Sequence, residues 1–301
     1  MKFEVKKVFV FLPLIAALAA CGGGGSDGDT AVNANVGTGN TTTGGNTGTT
    51  TGGSTGGAAG GTTTGGGATG GSTTGGTVTP LVTGAFVQAT TPRFAVVGAS
   101  QQGSGQVRSI EQLPVGGIVA INANTLTGTA RAVEDVTGDE TFAMGRWAKG
   151  DAMFGGMDST VDQVPSMFHY VVYNALDAFP ASGVEVCDAG KFTTPTRTSG
   201  LGADMGQAMG SAALTFGANG AAVDASITVT VAGQVKTVST TGHTLPSPTA
   251  SLYTGNYLND GDGLMLTTAQ AAGGKHRVVV GFMAVINGSK YRGFASFTCG
   301  Q

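Results

Sequence analysis

Histidine, tryptophan, cysteine and charge are all scarce in this sequence: 301 residues hold three histidines, one tryptophan, three cysteines and only 11% charged residues. The portion after Pro80 contains no HExxH, CxxC, GxSxG or Walker spacing. The usual arrangements for a zinc site, a redox pair, a serine nucleophile or a phosphate cradle are therefore missing there. No nucleophile, base and orienting group can be named together, so the chain is expected not to be an enzyme and to need no cofactor. A surplus of basic residues is missing too. Leu81 to Gln301 carries twelve Lys/Arg against fifteen Asp/Glu, spread without clusters, and nucleic acid is excluded as an expected partner because its footprint is basic and patchy.

Long apolar runs are limited to one, Val8 to Ala20, broken only by the neutral Pro13 and preceded by Lys2, Lys6 and Lys7. About 20 apolar residues are needed to span a bilayer, so this run reads as the h-region of a secretory signal behind a basic n-region. It ends in Leu18-Ala19-Ala20-Cys21-Gly22, which resembles the lipobox of bacterial lipoproteins. The resemblance implies that residues 1–20 are removed and that Cys21 is acylated. Several acyl chains on one residue anchor firmly, since each buried CH₂ contributes roughly 0.8 kcal/mol. In that class an aspartate after the cysteine retains the protein at the inner membrane; Gly22 stands here, and the outer membrane is expected.

From Gly22 to Thr79 the chain is almost wholly Gly, Thr, Ser, Asn and Ala, with Asp27 and Asp29 its only charges and no aromatic residue. Such a segment has no apolar face whose burial offsets the entropy of ordering, so residues 21–80 are expected to form a disordered tether. A Gly-rich coil of this length spans roughly 40–45 Å on average. A glycosylated or adhesive stalk has the same composition.

Beyond Pro80 aromatic and β-branched residues appear together, and short runs of alternating apolar and polar residues recur between Gly, Asn, Asp and Pro. That pattern predicts strands and turns. Ser226–Val231 places Ile227, Val229 and Val231 on one face; Ala232-Gly233 turns the chain, and Val235 and Val238 continue it as a hairpin. Ala212, Leu214 and Phe216 form another one-sided strand. Further strands are expected at 93–100, 117–122, 142–148, 167–174, 183–188, 277–286 and 290–298, with a short helical turn at 201–209. The fold class is thus all-β: an N-terminal β segment over 81–141, then a single small antiparallel β-barrel of about eight strands over 142–301. A β-sandwich fits the same alternation.

With Cys21 assigned to lipid, Cys187 remains on one expected strand and Cys299 at the end of the last. Two such cysteines in an oxidising envelope compartment are expected to pair. The bond would close a loop of more than a hundred residues.

Met144-Gly145-Arg146-Trp147, His169-Tyr170-Val171-Val172, Phe179-Pro180-Ala181-Ser182-Gly183, Ala213-Leu214-Thr215-Phe216-Gly217 and Tyr291-Arg292-Gly293-Phe294-Ala295 together resemble the small barrel of transferrin-binding protein B. They resemble more its relatives in proteobacterial surface lipoproteins and at the C-terminus of some FecR-domain proteins. The resemblance runs from about Phe142 to Thr298 and lies in strand and glycine spacing. It implies a small barrel that serves as a binding module, with an extracellular protein or a haem-type ligand as the partner class. The paired lobes and extended capping loops by which that family captures host iron proteins have no counterpart here, so transferrin binding does not carry over.

Individual polar residues are expected to be structural. His169 alternates with Val171 and Tyr173 and reads as a hydrogen-bonded strand histidine; His243 and His276 read as exposed. Glu134, Asp135, Asp139 and Glu140 form an acidic loop expected to be solvated. Asn259-Asp260-Gly261-Asp262-Gly263 has oxygens at alternate positions, as a calcium loop has, but reads as a Gly-rich turn. Trp147 is expected in the core, and Met144, Met153, Phe154, Met157 and Met167 form a soft apolar set that suits packing. The functional expectation is a lipid-anchored outer-membrane or surface lipoprotein with a non-catalytic β module. A periplasm-facing assembly lipoprotein is the alternative, and an envelope hydrolase the least favoured.

Overall fold

A computed structural model describes residues 82–98, 101–198 and 204–300, all within the compact unit Thr73–Gln301. The expected signal segment, Cys21 and the tether lie outside the described residues. The described chain is all-β and antiparallel, as the alternation predicts. Its first strands are β1 (Pro92–Gly98), β2 (Gln101–Gln106), β3 (Ile110–Gln112), β4 (Ile118–Ile121), β5 (Asn124–Asp139), β6 (Phe142–Phe154), β7 (Met157–Val161) and β8 (Phe168–Asn174). The segment that follows carries β9 (Gly183–Val186), β10 (Lys191–Phe192) and β11 (Thr196–Arg197). After it come β12 (Gln207–Gly217), β13 (Gly220–Val231), β14 (Gln234–Leu245), β15 (Leu252–Gly255), β16 (Gly263–Gln270), β17 (His276–Ile286) and β18 (Ser289–Cys299).

The first eight strands make one sheet in the order β2-β1-β8-β6-β5-β4-β3, with β7 paired to β6. This sheet curls until β4 lies over β6 and β8. The Trp147 indole N–H donates to the Ile118 carbonyl at 2.8 Å, and the Ile118 N–H donates to the Tyr170 hydroxyl at 2.9 Å. Trp147, Phe168, Phe154 and Ile118 fill the concave side. Trp147 is therefore in the core, as expected, and burial pushes the Tyr170 hydroxyl pKa up.

From Gly183 onward eight successive strand segments make a second body: the β9–β11 segment, then β12 to β18 in order. Pairing runs β9-β12-β13-β14 in one sheet and β15-β16-β17-β18 in another, and β18 returns to β10 and β11. Cys187 and Cys299 face each other as a bridge pair at that return and are joined by a disulfide. Among the described residues no ladder joins β14 to β15. Leu214, Phe216, Ile227, Val280, Phe282 and Phe297 fill the interior.

From Phe142 onward the described residues hold thirteen strands, β6 to β18, rather than about eight; eight is the number of segments only in the body that starts at Gly183, with the short β9, β10 and β11 taken as one. The boundary expected at Phe142 falls inside the β5–β6 hairpin, whose strands pair directly. Alternation along a strand reports which face is buried, not which distant strand it joins. Strands β1 and β8 and the first half of β6 are buried on both faces, because their convex side packs on β16, β17 and β18 through Val171, Phe142, Met265, Met283 and Phe294.

Local chemistry explains the turns. Ala232-Gly233 has φ of 48° and 77°, and Asn287-Gly288 has 49° and 76°, the left-handed pair that a two-residue hairpin requires. No helical turn forms at 204–209: Met205 bridges Thr196, and 207–209 belong to β12. Met209 continues the alternation of that strand, which outweighs a local helical preference.

Candidate functional site

The junction between the curled sheet and the eight-strand body is polar at its edges. Register shifts break the β5–β6 ladder between Glu134 and Thr137, and within that bulge Asp135 takes φ of 55°. A bulge re-aims a side chain, and here it turns the Asp135 carboxylate inward. Asp135 Oδ2 accepts from Arg146 Nε at 2.9 Å and from the Thr194 N–H at 2.8 Å, while Oδ1 accepts from the Thr194 hydroxyl at 3.0 Å. Glu134 accepts from Arg146 Nη2 at 2.7 Å. Further along, Asp139 accepts from Arg277 Nη2 at 3.0 Å, and the Arg277 guanidinium lies 3.6 Å from the centroid of Phe142. The acidic loop is therefore not simply solvated, as its composition suggests. Arg146 and Arg277 are almost completely buried, and a buried cation demands carboxylate partners.

His169 stands on β8 beside this set, wholly buried. Its Nδ1 lies 2.8 Å from the Thr193 hydroxyl and its Nε2 2.6 Å from the Thr196 hydroxyl. Thr193 also accepts from the Phe294 N–H at 2.9 Å, so the set is satisfied when Nδ1 carries the proton and Nε2 accepts from Thr196. The ring is a hydrogen-bonded strand histidine, as expected. Burial, then the nearby Arg146 and Arg292 cations, hold its pKa well below 6.5. The stability this neutral ring supports is fully present above the unfolded-state value of 6.5 and is lost as pH falls below it. Unfolding free energy is expected to drop by about 1 kcal/mol over the first unit below that value, the slope steepening toward about 1.4 kcal/mol per unit beyond it. Urea titrations of wild type and His169→Gln test this; equal slopes in the two proteins would exclude His169 as the source.

His276 was expected to be exposed, yet its Nδ1 lies 2.8 Å from Glu185 Oε1, and its ring contacts Phe216 at a centroid distance of 4.9 Å. It closes one end of the body beside the disulfide, because His276 stands opposite Cys299 on the neighbouring strand. His243 is exposed, as expected. The carboxylates of the 259–263 turn already have protein partners. Asp262 accepts from the Val285 N–H at 2.7 Å and from Lys236 at 2.8 Å, and Asp260 lies 3.8 Å from the buried Arg292. The methionine set does not converge: Met144 is in the sheet interface, whereas Met153 and Met157 are exposed. Among the described residues no group of three or more His, Cys, Asp or Glu side chains is arranged to hold a metal ion.

The concave feature best placed for recognition lies where the two bodies meet. A groove of about 200 Å³ runs between β1–β2 and the short turn Tyr257–Asn259. Ala95, Met265 and Phe294 form its apolar floor, and Ser104, Tyr253 and Leu258 its rim. Tyr253 and Tyr257 stack with ring centroids 5.8 Å apart, and the Tyr253 hydroxyl reaches Ser104 at 3.4 Å. Burial raises the Tyr257 pKa, so that ring stays a neutral phenol. Sequence reasoning missed this groove. Its walls are 149 residues apart in the chain, and only the Tyr253/Tyr257 spacing hinted at an aromatic pair.

Comparison with known proteins finds no matching family, no matching curated protein and no matching solved structure.

Proposed function

We propose that this chain is a lipid-anchored outer-membrane lipoprotein, displayed at the cell surface, whose β module binds a partner without catalysis. The observation that carries the proposal is the succession of a basic start, the Val8–Ala20 apolar run, Cys21 and a long Gly/Thr-rich spacer. Reach of this kind serves a module that meets something away from the lipid surface. The Cys187–Cys299 disulfide supports an oxidising envelope compartment. Kinship with the transferrin-binding protein B barrels belongs to the same proposal.

An extracellular protein is the favoured partner class over a haem-type ligand. The junction groove is smaller than the roughly 300–1,000 Å³ of small-molecule sites, and no histidine lines it. An apolar floor with an aromatic rim suits one side chain of a protein partner.

Protease shaving of intact cells tests display. The Leu81–Gln301 module is expected to be released from cells making the wild-type chain and absent from the surface in Cys21→Ala. A module that stays protected until the outer membrane is opened would instead favour a periplasm-facing assembly role.

A further inference from the structure

The outer face of the β9-β12-β13-β14 sheet is covered by neither the curled sheet nor the β15–β18 sheet. Register places Ser211, Ser226 and Ser239 side by side across three strands, and Met209, Thr228 and Thr237 in the next outward row. The Thr228 and Thr237 hydroxyls bond to each other at 2.8 Å. The inward neighbours Ile227 and Val229 fill the core, so these rows point to solvent. Val184, Val186, Met209 and Val235 on this face are between 63% and 74% exposed. A hollow of about 330 Å³ includes the serine row. Among the described residues Asp224 is the one charged side chain on the face, and its carboxylate accepts from the Gly242 N–H.

Such a surface disfavours most partner classes. Among the described residues it has no cation for nucleic acid or anionic lipid, and no aromatic ring on which a sugar could stack. Apolar side chains set among hydroxyls gain from contact with the same chemistry. A two-fold contact requires a surface that is its own complement, and a nearly uncharged one does not repel its copy. Four strands of this length present roughly 500 Å² at ordinary strand spacing. Two copies face to face bury about 1,000 Å², the lower limit for specific association. Sheets packed in this way stand about 10 Å apart.

We infer that this face docks a second copy of the chain, giving a two-fold dimer with the Ser211–Ser226–Ser239 row near its axis. The inference is independent of how the chain is anchored. Sedimentation equilibrium of the purified full-length chain in mild detergent is expected to show a monomer–dimer equilibrium with a dissociation constant on the order of micromolar. Ser226→Lys sets like charges opposite each other and is expected to raise that constant at least about tenfold. Thr160→Lys, on exposed β7, leaves it unchanged. Ser226→Cys, close to serine in size, gives a second readout if the lysine variant does not fold: mild oxidation yields a covalent dimer that wild type and Thr160→Cys do not form. A monomer at every concentration overturns the inference. So does a dimer that Ser226→Lys leaves intact, or a failure of Ser226→Cys to crosslink.

Discussion

Reducing the Cys187–Cys299 disulfide is expected to lower unfolding free energy by up to about 4–5 kcal/mol, the chain-entropy value for a closed loop of this length. Position in the fold argues for the upper part of that range. β9 pairs with β12, β10 and β11 pair with β18, and the Cys187–Cys299 pair sits where one sheet passes into the other. Opening the bond frees the edge at which the eight-strand body returns on itself, while its opposite seam at β14 and β15 has no ladder to compensate. For a module of this size the loss corresponds to a fall in Tm of roughly 10–20 °C. Thermal and urea melts with and without reductant, and of the Cys187→Ala, Cys299→Ala double variant, measure it. The double variant separates loss of the bond from the chemistry of reduction. A change below about 1 kcal/mol in both would show that the packed interior holds the return without the bond.

Asp135→Asn is expected to cost about 3 kcal/mol, far more than the same change at its neighbour Glu134. Arg146 is buried, and Asp135 contributes a carboxylate that also holds Thr194 of the other body. Asparagine tolerates the left-handed backbone at this position, so the substitution isolates the charge. A buried guanidinium that loses a carboxylate keeps its desolvation penalty without the compensating attraction. Glu134 is half exposed and screened, and Glu134→Gln is expected to cost no more than about 1 kcal/mol. Pairing Asp135→Asn with Arg146→Leu removes both charges and is expected to recover part of the loss, which makes the double-mutant cycle the decisive measurement. Equal losses for Asp135→Asn and Glu134→Gln would place the energy in the bulge geometry rather than in the ion pair.

Much of the β structure was legible residue by residue. β12, β13 and β14 lie where one-sided alternation placed them, β17 and β18 lie at two further expected strands, and the Ala232-Gly233 turn is the hairpin its residues demand. β2, with the sequence Gln-Gln-Gly-Ser-Gly-Gln, has no apolar residue to mark it and exists because β1 offers a ladder. β16 is buried nearly throughout, so its Gly263–Gln270 run shows no alternation. β5 loses its period at the bulges that later prove to aim Asp135. The buried arginines Arg146, Arg277 and Arg292 were equally illegible, because a strand pattern expects polar residues to face water.

The sequence by itself determined what depends on neighbours along the chain: strand alternation, turn chemistry, the all-β class and a pair of cysteines free to join. The readings of Cys21 and the spacer rest on that same local chemistry. Tertiary structure alone decided which strands share a sheet, where the eight-strand body begins, that acidic residues cover buried arginines, that His276 meets Glu185, and that Tyr253 stands beside Ser104. These bring together residues from 11 to 149 positions apart. The reason is physical. Period and turn preference act within a few residues, whereas sheet pairing and the burial of a charge are settled by total contact and desolvation across the whole folded chain.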